Sequence, residues 1–344
     1  DWVPTHYHIQ SSGIDEPELM ATDKWYTTLE YGDDYPYDDF PRSLRLPWEM
    51  MQGRLPCNSV AELNSIIDKI ITVESPQAGQ EWRRRGIFMA DDAWSNGYGD
   101  DAYFYLRHSG TEESFETSER DSLAAAWEFG SPIHLQADTL FLDRWLAPYG
   151  DGTTTQNRDI EDFRDYPEEA ATPALLAALS RGGLVAHYQG HGNAYVLATE
   201  YWLMDRDVYD RQDIRLITNT DKPWVFFGLG CHISDWAQNT VFNTTTVREP
   251  SLGEKFLLKP SAGASATIGS SGFEYITHNR VYGEYIFRRW MLYPPGAATS
   301  PHVAPDGRSR WMLGEILWAA DAEILARRAL QWNYPEMVAQ YQLL

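Results

Sequence analysis

Short apolar runs that break on a glycine beside a polar residue restrict the fold of this chain more than any other feature. Leu184–Tyr188 (LVAHY) leads into Gly190-His191-Gly192, and Trp224–Leu229 (WVFFGL) leads into Gly230-Cys231-His232. Gly86–Ala90 (GIFMA) ends on Asp91-Asp92, Ala264–Ser270 (ASATIGS) is a further run, and Ile133–Leu142 contains another strand. Runs this short, apolar on both faces, read as buried strands. Helical patterns separate them. Ser59–Glu62 has capping-box spacing, and Ile66, Ile67, Ile70 and Ile71 then recur at helical intervals, which predicts a helix over 60–74. Ser118–Phe129 reads as a helix with an acidic first turn. Thr172-Pro173 supplies an N-cap and a first-turn proline, with Gly182-Gly183 closing that helix. Ser251–Glu254 is a second capping box, opening 252–258, and helices follow over 281–292 and 310–331. Strands alternating with helices imply an α/β fold: a doubly wound, mostly parallel sheet flanked by helices.

Charge narrows the partners. The chain has 344 residues, with 28 Lys+Arg against 50 Asp+Glu and a net charge of −22. It carries no block of basic residues, which argues against nucleic acid and against anionic membrane surfaces. No apolar run reaches the ~18 residues of a membrane span, so no membrane insertion is expected. Two cysteines, Cys57 and Cys231, make no disulfide framework. The polar stretch Ser75–Arg85 is the expected junction between two subdomains, 1–82 and 83–344.

Ligands of doubly wound sheets sit beyond the carboxyl ends of the strands. Three such ends here carry a carboxylate (Asp91-Asp92), an imidazole (His191) and a thiol (Cys231). If the strands are neighbours, these groups form a nucleophile, a base and an orienting acid. Flanking glycines would let a substrate backbone approach and would leave N–H groups for an oxyanion. Each piece alone has a plainer explanation: a core thiol, a turn histidine, or aspartates capping a turn. Their joint placement after separate buried strands favours chemistry. His187 sits four residues before His191, on the same face if both are in a strand, and reads as a core histidine or one packed behind the site. His232 and Cys231 alone do not make a zinc site.

The segments GLVAHYQGHGN and PWVFFGLGCHISDW resemble the His-Gly and Cys elements of caspase-like (clan CD) cysteine peptidases. GRLPCNSVAELNSIIDKIITVES resembles the signature of the gingipain family within that clan, and WVPTHY, GIFMADD, SLGEKFLL and MLGEILWA are similar pieces. The resemblance implies a caspase–hemoglobinase-like fold of two subdomains. By position it matches Cys231 to the nucleophile and His191 to the general base and acid. It matches Asp92 to the third member, with Asp91 as rival, and the backbone N–H groups of Gly192 and Cys231 to the oxyanion donors. In basic-specific members an acidic residue precedes the next helix; Glu116 is its positional match here, with Glu112, Glu113 and Glu119 as rivals. It would select Arg or Lys before the cut, unless these acids simply serve the helix N-terminus. Cys57 stands where the family has a Val-like residue and reads as a buried substitution.

The expected function is therefore a cysteine endopeptidase acting on protein or peptide substrates. A sortase-like transpeptidase and a catalytically silent surface or scaffold domain are the alternatives. No cofactor is required, although the acidic loops Gly32–Asp39 and Asn96–Asp101 offer oxygens to calcium if they are not simply solvated. Family members begin with an additional strand and continue further, so this sequence reads as a piece of a longer, secreted or cell-surface protein with further domains.

Overall fold

The computed structural model describes residues 5–10, 18–27, 50–75, 81–91, 94–99, 102–107, 120, 122–124, 135–142, 145, 170–199, 201–206, 210–237, 240–242, 245–247, 249–292, 312–328 and 334–344. Among the described residues, six strands form one sheet: β1 (Arg85–Ala90), β2 (Gln136–Phe141), β3 (Val185–Gln189), β4 (Trp224–Leu229), β5 (Ala264–Ser270) and β6 (Tyr341–Leu343). Their spatial order is β6-β5-β4-β3-β1-β2, and every pairing is parallel except that of β5 with β6. The sheet is the mostly parallel one expected, closed on one side by an antiparallel strand that the sequence pattern did not reveal.

Successive side chains of a strand point to opposite faces, so this sheet feeds two cores. From β4, Val225, Phe227 and Leu229 turn to one face, where they meet Tyr282, Phe287 and Trp290 of α4 (Ile276–Leu292). The same core takes in α5 (Leu313–Arg328) through Ile316 and Ile324, and α6 (Tyr334–Gln340) through Val338. Trp224 and Phe226 turn the other way, onto α2 (Thr172–Ser180) and α3 (Leu252–Leu258) through Leu175, Leu179 and Phe256. Each large apolar side chain buried this fully contributes about 1.5–3 kcal/mol.

α1 (Val60–Glu74) has the expected bounds. Ser59 Oγ accepts the Glu62 N–H at 3.2 Å, and Glu62 Oε2 accepts the Asn58 N–H at 2.6 Å. Ile66 and Ile70 pack with Trp236, Leu257 and Leu344, whereas Ile67 and Ile71 face solvent. Lys69 Nζ donates to the carbonyls of Leu257, Lys259 and Ala262, satisfying oxygens that the end of α3 leaves without helical partners. The described part of residues 5–75 adds no strand to the six-stranded sheet. It leans on the β5–β6 side, where Arg54 N–H bonds Leu343 O and Thr22 Oγ1 bonds Ala339 O.

Three expectations change. Thr172 is the first helical residue of α2 and not its N-cap, because Ala171 before it already has helical dihedrals (φ −72, ψ −43); its hydroxyl donates to Trp202 O at 2.6 Å. α4 starts at Ile276, five residues early, and α5, expected from 310, starts at Leu313 and is described as far as Arg328. Of the helix expected over Ser118–Phe129, only residues 120 and 122–124 are described, and they are helical. Ser251 does form the second capping box, and Gly182, at φ +76, ends α2 in a conformation that costs glycine little.

Candidate active site

Four strands end almost flush. Ala90 pairs with Gln189, Gln189 with Leu229, and Gly228 with Gly269. The segments that follow, Asp91, 190–193, 230–236 and 271–275, therefore share one edge of the sheet. Backbone bonds carry the ladder one step beyond the strands. Asp91 N–H donates to Gln189 O (2.9 Å), Gly190 N–H to Leu229 O (3.1 Å), His232 N–H to Gly272 O (3.0 Å) and Ser234 N–H to Ser270 O (2.9 Å).

Glycines let these segments touch. A Cβ on Gly190 would lie 2.2 Å from Tyr188 Oη and 2.4 Å from Asp91 Cβ, and one on Gly230 would lie 2.6 Å from Gly190 O. A Cβ on Gly192 would stand 3.4 Å from the Cys231 carbonyl oxygen. The histidine and cysteine segments are thus in contact, and Asp91 abuts the first of them.

The His191 main chain is held on two sides. Buried Asp91 accepts its N–H through Oδ2 at 2.8 Å. The Tyr188 hydroxyl donates to its carbonyl at 2.6 Å, and Ala198 N–H reaches both that carbonyl and the hydroxyl at 2.9 Å. Beyond it, Gly192–Asn193 pairs antiparallel with Val196–Leu197. Bonded and non-bonded pairs alternate in such a ribbon. Because His191 and Ala198 are bonded, Gly192 falls in a non-bonded pair and its N–H turns off the ribbon.

Cys231 is partly exposed. Glu274 N–H donates to its Sγ at 3.3 Å, and the Glu274 carbonyl lies 3.7 Å from the same sulfur. An amide donor favours the thiolate. His232 follows with φ +55, its ring buried, edge-on to Phe273 at 5.0 Å and with Nδ1 3.4 Å from Asp235 Oδ2. Burial pushes the Glu274 carboxyl well above the usual carboxylate range, against the opposing pull of bonds to Ser270 and Tyr341 and of the His232 and Lys24 charges.

Of the expected site residues, Cys231, His191 and Gly192 lie together on this edge, with Asp91 beside them. Asp92, Glu116 and its rivals Glu112, Glu113 and Glu119 lie outside the described residues, as does the loop Gly32–Asp39. Of Asn96–Asp101, residues 96–99 belong to a strand, Trp94–Gly99, paired with Ala102–Arg107. Among the described residues no cluster of three or more His, Cys, Asp or Glu could hold a metal ion. His187 is fully buried, its ring among those of Phe88, Phe227 and Phe287. It does not share a strand face with His191, because β3 ends at Gln189. Cys57 is partly buried against the Ile66–Trp236–Leu257 cluster.

Two residues escape sequence reasoning. Tyr188 clamps His191, and alternation along β3, which turns Tyr188 away from His187, could have drawn attention to it. Glu274 reaches Cys231 from the segment after β5, and no local motif marks it.

A family model described as peptidase family C25 matches residues 1–343. A search of curated proteins found no match. The fold is similar to the crystal structure of the Arg-specific cysteine proteinase gingipain R (RGPB), with TM-score 0.59 and 15% identity over 94% of this chain and 58% of the other. It is also similar to a complex of the pro- and mature domains of Porphyromonas gingivalis RgpB, with TM-score 0.60 and 14% identity over 94% of this chain and 59% of the other. At such identities the likeness speaks to the fold, which is caspase-like, and the chain spans less than two thirds of either structure.

Proposed function

The chain belongs to peptidase family C25, the gingipain family of cysteine peptidases, and on that premise we propose that it is an endopeptidase working through Cys231. The observation that carries this reading is the contact between the Gly192 and Cys231 segments, with Asp91 fixing His191 beside them. In the proposed reaction, His191 takes the thiol proton and Cys231 Sγ attacks the substrate carbonyl. The tetrahedral oxyanion accepts from the N–H groups of Gly192 and Cys231. The orientation of Gly192 N–H away from its own ribbon supports that role. His191 then protonates the leaving amine, and water resolves the acyl-thioester. Asp92 is the proposed third member, with Asp91 as the alternative; the Asp91–His191 bond favours a positioning role for Asp91.

Substrates are proposed to be polypeptides cut after Arg or Lys, with Glu116 as the selecting carboxylate. Secretion or surface display is the proposed setting; no helix of the described residues is long and apolar enough to cross a membrane. Transfer of the acyl group to an amine would use the same thioester, and so needs separating by experiment. Digesting a peptide library with and without an added primary amine tests both points. Hydrolysed products with Arg or Lys at their new C-termini are expected. Products capped by the amine at the expense of hydrolysis would make the chain a transpeptidase, and cuts after apolar or acidic residues would remove Glu116 from its role.

A further inference from the structure

Gly192, one of the two proposed oxyanion donors, has no side chain with which to fix its own N–H. A Cβ there would lie 2.9 Å from Ile233 Cγ1, so packing asks for glycine, the residue that turns most freely. The direction of its N–H is therefore set from outside. The His191–Gly192 peptide is one plane, with its carbonyl and its N–H on opposite sides. The Tyr188 hydroxyl and the Ala198 N–H hold that carbonyl, which fixes where the Gly192 N–H points. The Ala198 bond lasts only while the ribbon keeps its register, with Gly192 opposite Leu197 and Asn193 opposite Val196.

That register depends on the turn between the two arms, which only Ala194 and Tyr195 span. Two-residue hairpin turns favour types I′ and II′, which need a positive φ at the first linking residue and, in type I′, at both. Neither Ala194 nor Tyr195 has one. The Asn193 side chain supplies the closure, because its Oδ1 accepts the N–H of Tyr195 at 2.8 Å and that of Val196 at 3.1 Å. The tip of the turn is anchored independently. Ala194 and Tyr195 are buried; the Ala194 carbonyl accepts the Leu252 N–H of α3 at 2.7 Å, and the Tyr195 carbonyl accepts the Asp205 N–H at 2.9 Å. The Tyr195 ring also meets the Arg206 guanidinium at 4.7 Å and Lys255 Nζ at 5.6 Å. Asn193, itself exposed, is thus the joint between a fixed tip and Gly192. We propose that Asn193 is a positioning residue of the oxyanion site: by closing its turn it holds the register that aims the Gly192 N–H at the substrate carbonyl oxygen. His191 does not depend on it, since Asp91 holds the His191 N–H and Tyr188 its carbonyl. Loss of the Asn193 amide should therefore leave the thiol and its base in place and weaken oxyanion binding alone.

This inference rests on the peptidase reading, and three readouts on the full chain keep the two apart. In Asn193→Ala, kcat on the best substrate from the peptide library should fall about 10–100-fold with KM within about twofold, short of the ~100–1,000-fold cost of deleting a donor outright. Affinity for a peptide aldehyde of the same sequence should fall by a similar factor, because Sγ adds to its carbonyl carbon and leaves the oxygen where the oxyanion forms. Alkylation of Cys231 by iodoacetamide, in which Sγ displaces iodide and no oxyanion develops, should stay within about twofold of wild type. Asn193→Asp keeps an acceptor in the same place, its added charge is screened at this exposed position, and it should recover kcat to within about threefold. Asn193→Ser accepts more weakly, should fall between, and carries the test if Asn193→Ala does not fold. An unchanged kcat in Asn193→Ala overturns the proposal, as does a fall that alkylation shares or that Asn193→Asp fails to recover. Wild-type protein that labels at Cys231 but cuts nothing in the library would refute the peptidase reading, and this one with it.

Discussion

Replacing Tyr188 with Phe separates what holds His191 from what holds the fold. The ring is fully buried, and Phe fills the same volume, so no cavity opens. What disappears is the hydroxyl, with its 2.6 Å bond to the His191 carbonyl and its acceptance of the Ala198 N–H. That N–H still has the His191 carbonyl at 2.9 Å, so no buried donor is orphaned. One net hydrogen bond is lost outright and a shared one is weakened, which amounts to about 1–1.5 kcal/mol. Urea unfolding of Tyr188→Phe should show that loss, with the dependence on denaturant unchanged. The kinetic effect should be larger than the stability loss suggests, because the clamp acts on the segment carrying the proposed base. Small displacements of a catalytic group are costly, and a fall in kcat of about tenfold with KM within about twofold is expected for a peptide substrate. If the variant is destabilised as stated yet turns over at the wild-type rate, Tyr188 secures the sheet edge and not the histidine, and the reasoning fails. A loss above about 3 kcal/mol would fail it differently, by showing that a buried group had been left unpaired.

Two further outcomes follow from the same geometry. Gly190→Ala would push a methyl against Tyr188 Oη and Asp91 Cβ, both buried, and should cost about 1–3 kcal/mol while displacing His191 enough to cut activity well over tenfold; unaltered activity in a folded variant would mean that the three segments are not packed as described. Burial would raise the Asp138 carboxyl, but bonds and charges from Arg181 and Arg85 hold it below its ordinary 3.8. Its ionised form therefore stabilises the fold above pH 3.8, and that contribution is lost as pH falls through the depressed native value. For this partly exposed group Asp138→Asn should cost at most about 1 kcal/mol at pH 7, and the difference from wild type should shrink in acid; a difference that grows in acid would contradict the assignment.

What the sequence made legible follows from locality. Buried strands such as GIFMA and WVFFGL, and caps such as Ser59–Glu62, are written within a few neighbouring residues, and parallel strands then oblige their carboxyl ends to gather. That obligation is why Cys231 and His191 could be placed on one edge without a structure. The antiparallel Tyr341–Leu343 strand was not legible, because its pairing with Ala264–Ser270 is a contact between distant segments and its own three residues carry little pattern. The same reason hid Glu274, whose main chain meets Cys231 across 43 residues of sequence, and Lys24, whose partner Asp321 is 297 residues away. Thr172 misled because a Thr-Pro pair looks like a cap, and nothing local to that pair shows that Ala171 before it already has helical dihedrals.

The central claim is that the Cys231 thiol does the cutting, and the most direct measurement compares peptide hydrolysis by Cys231→Ala with that by Cys57→Ser. Removing a nucleophile of this kind costs on the order of a thousandfold or more, whereas losing the partly buried Cys57 thiol on the N-terminal segment should cost nothing at the reaction. The account predicts turnover lost in Cys231→Ala and retained in Cys57→Ser. Turnover retained in Cys231→Ala would contradict it.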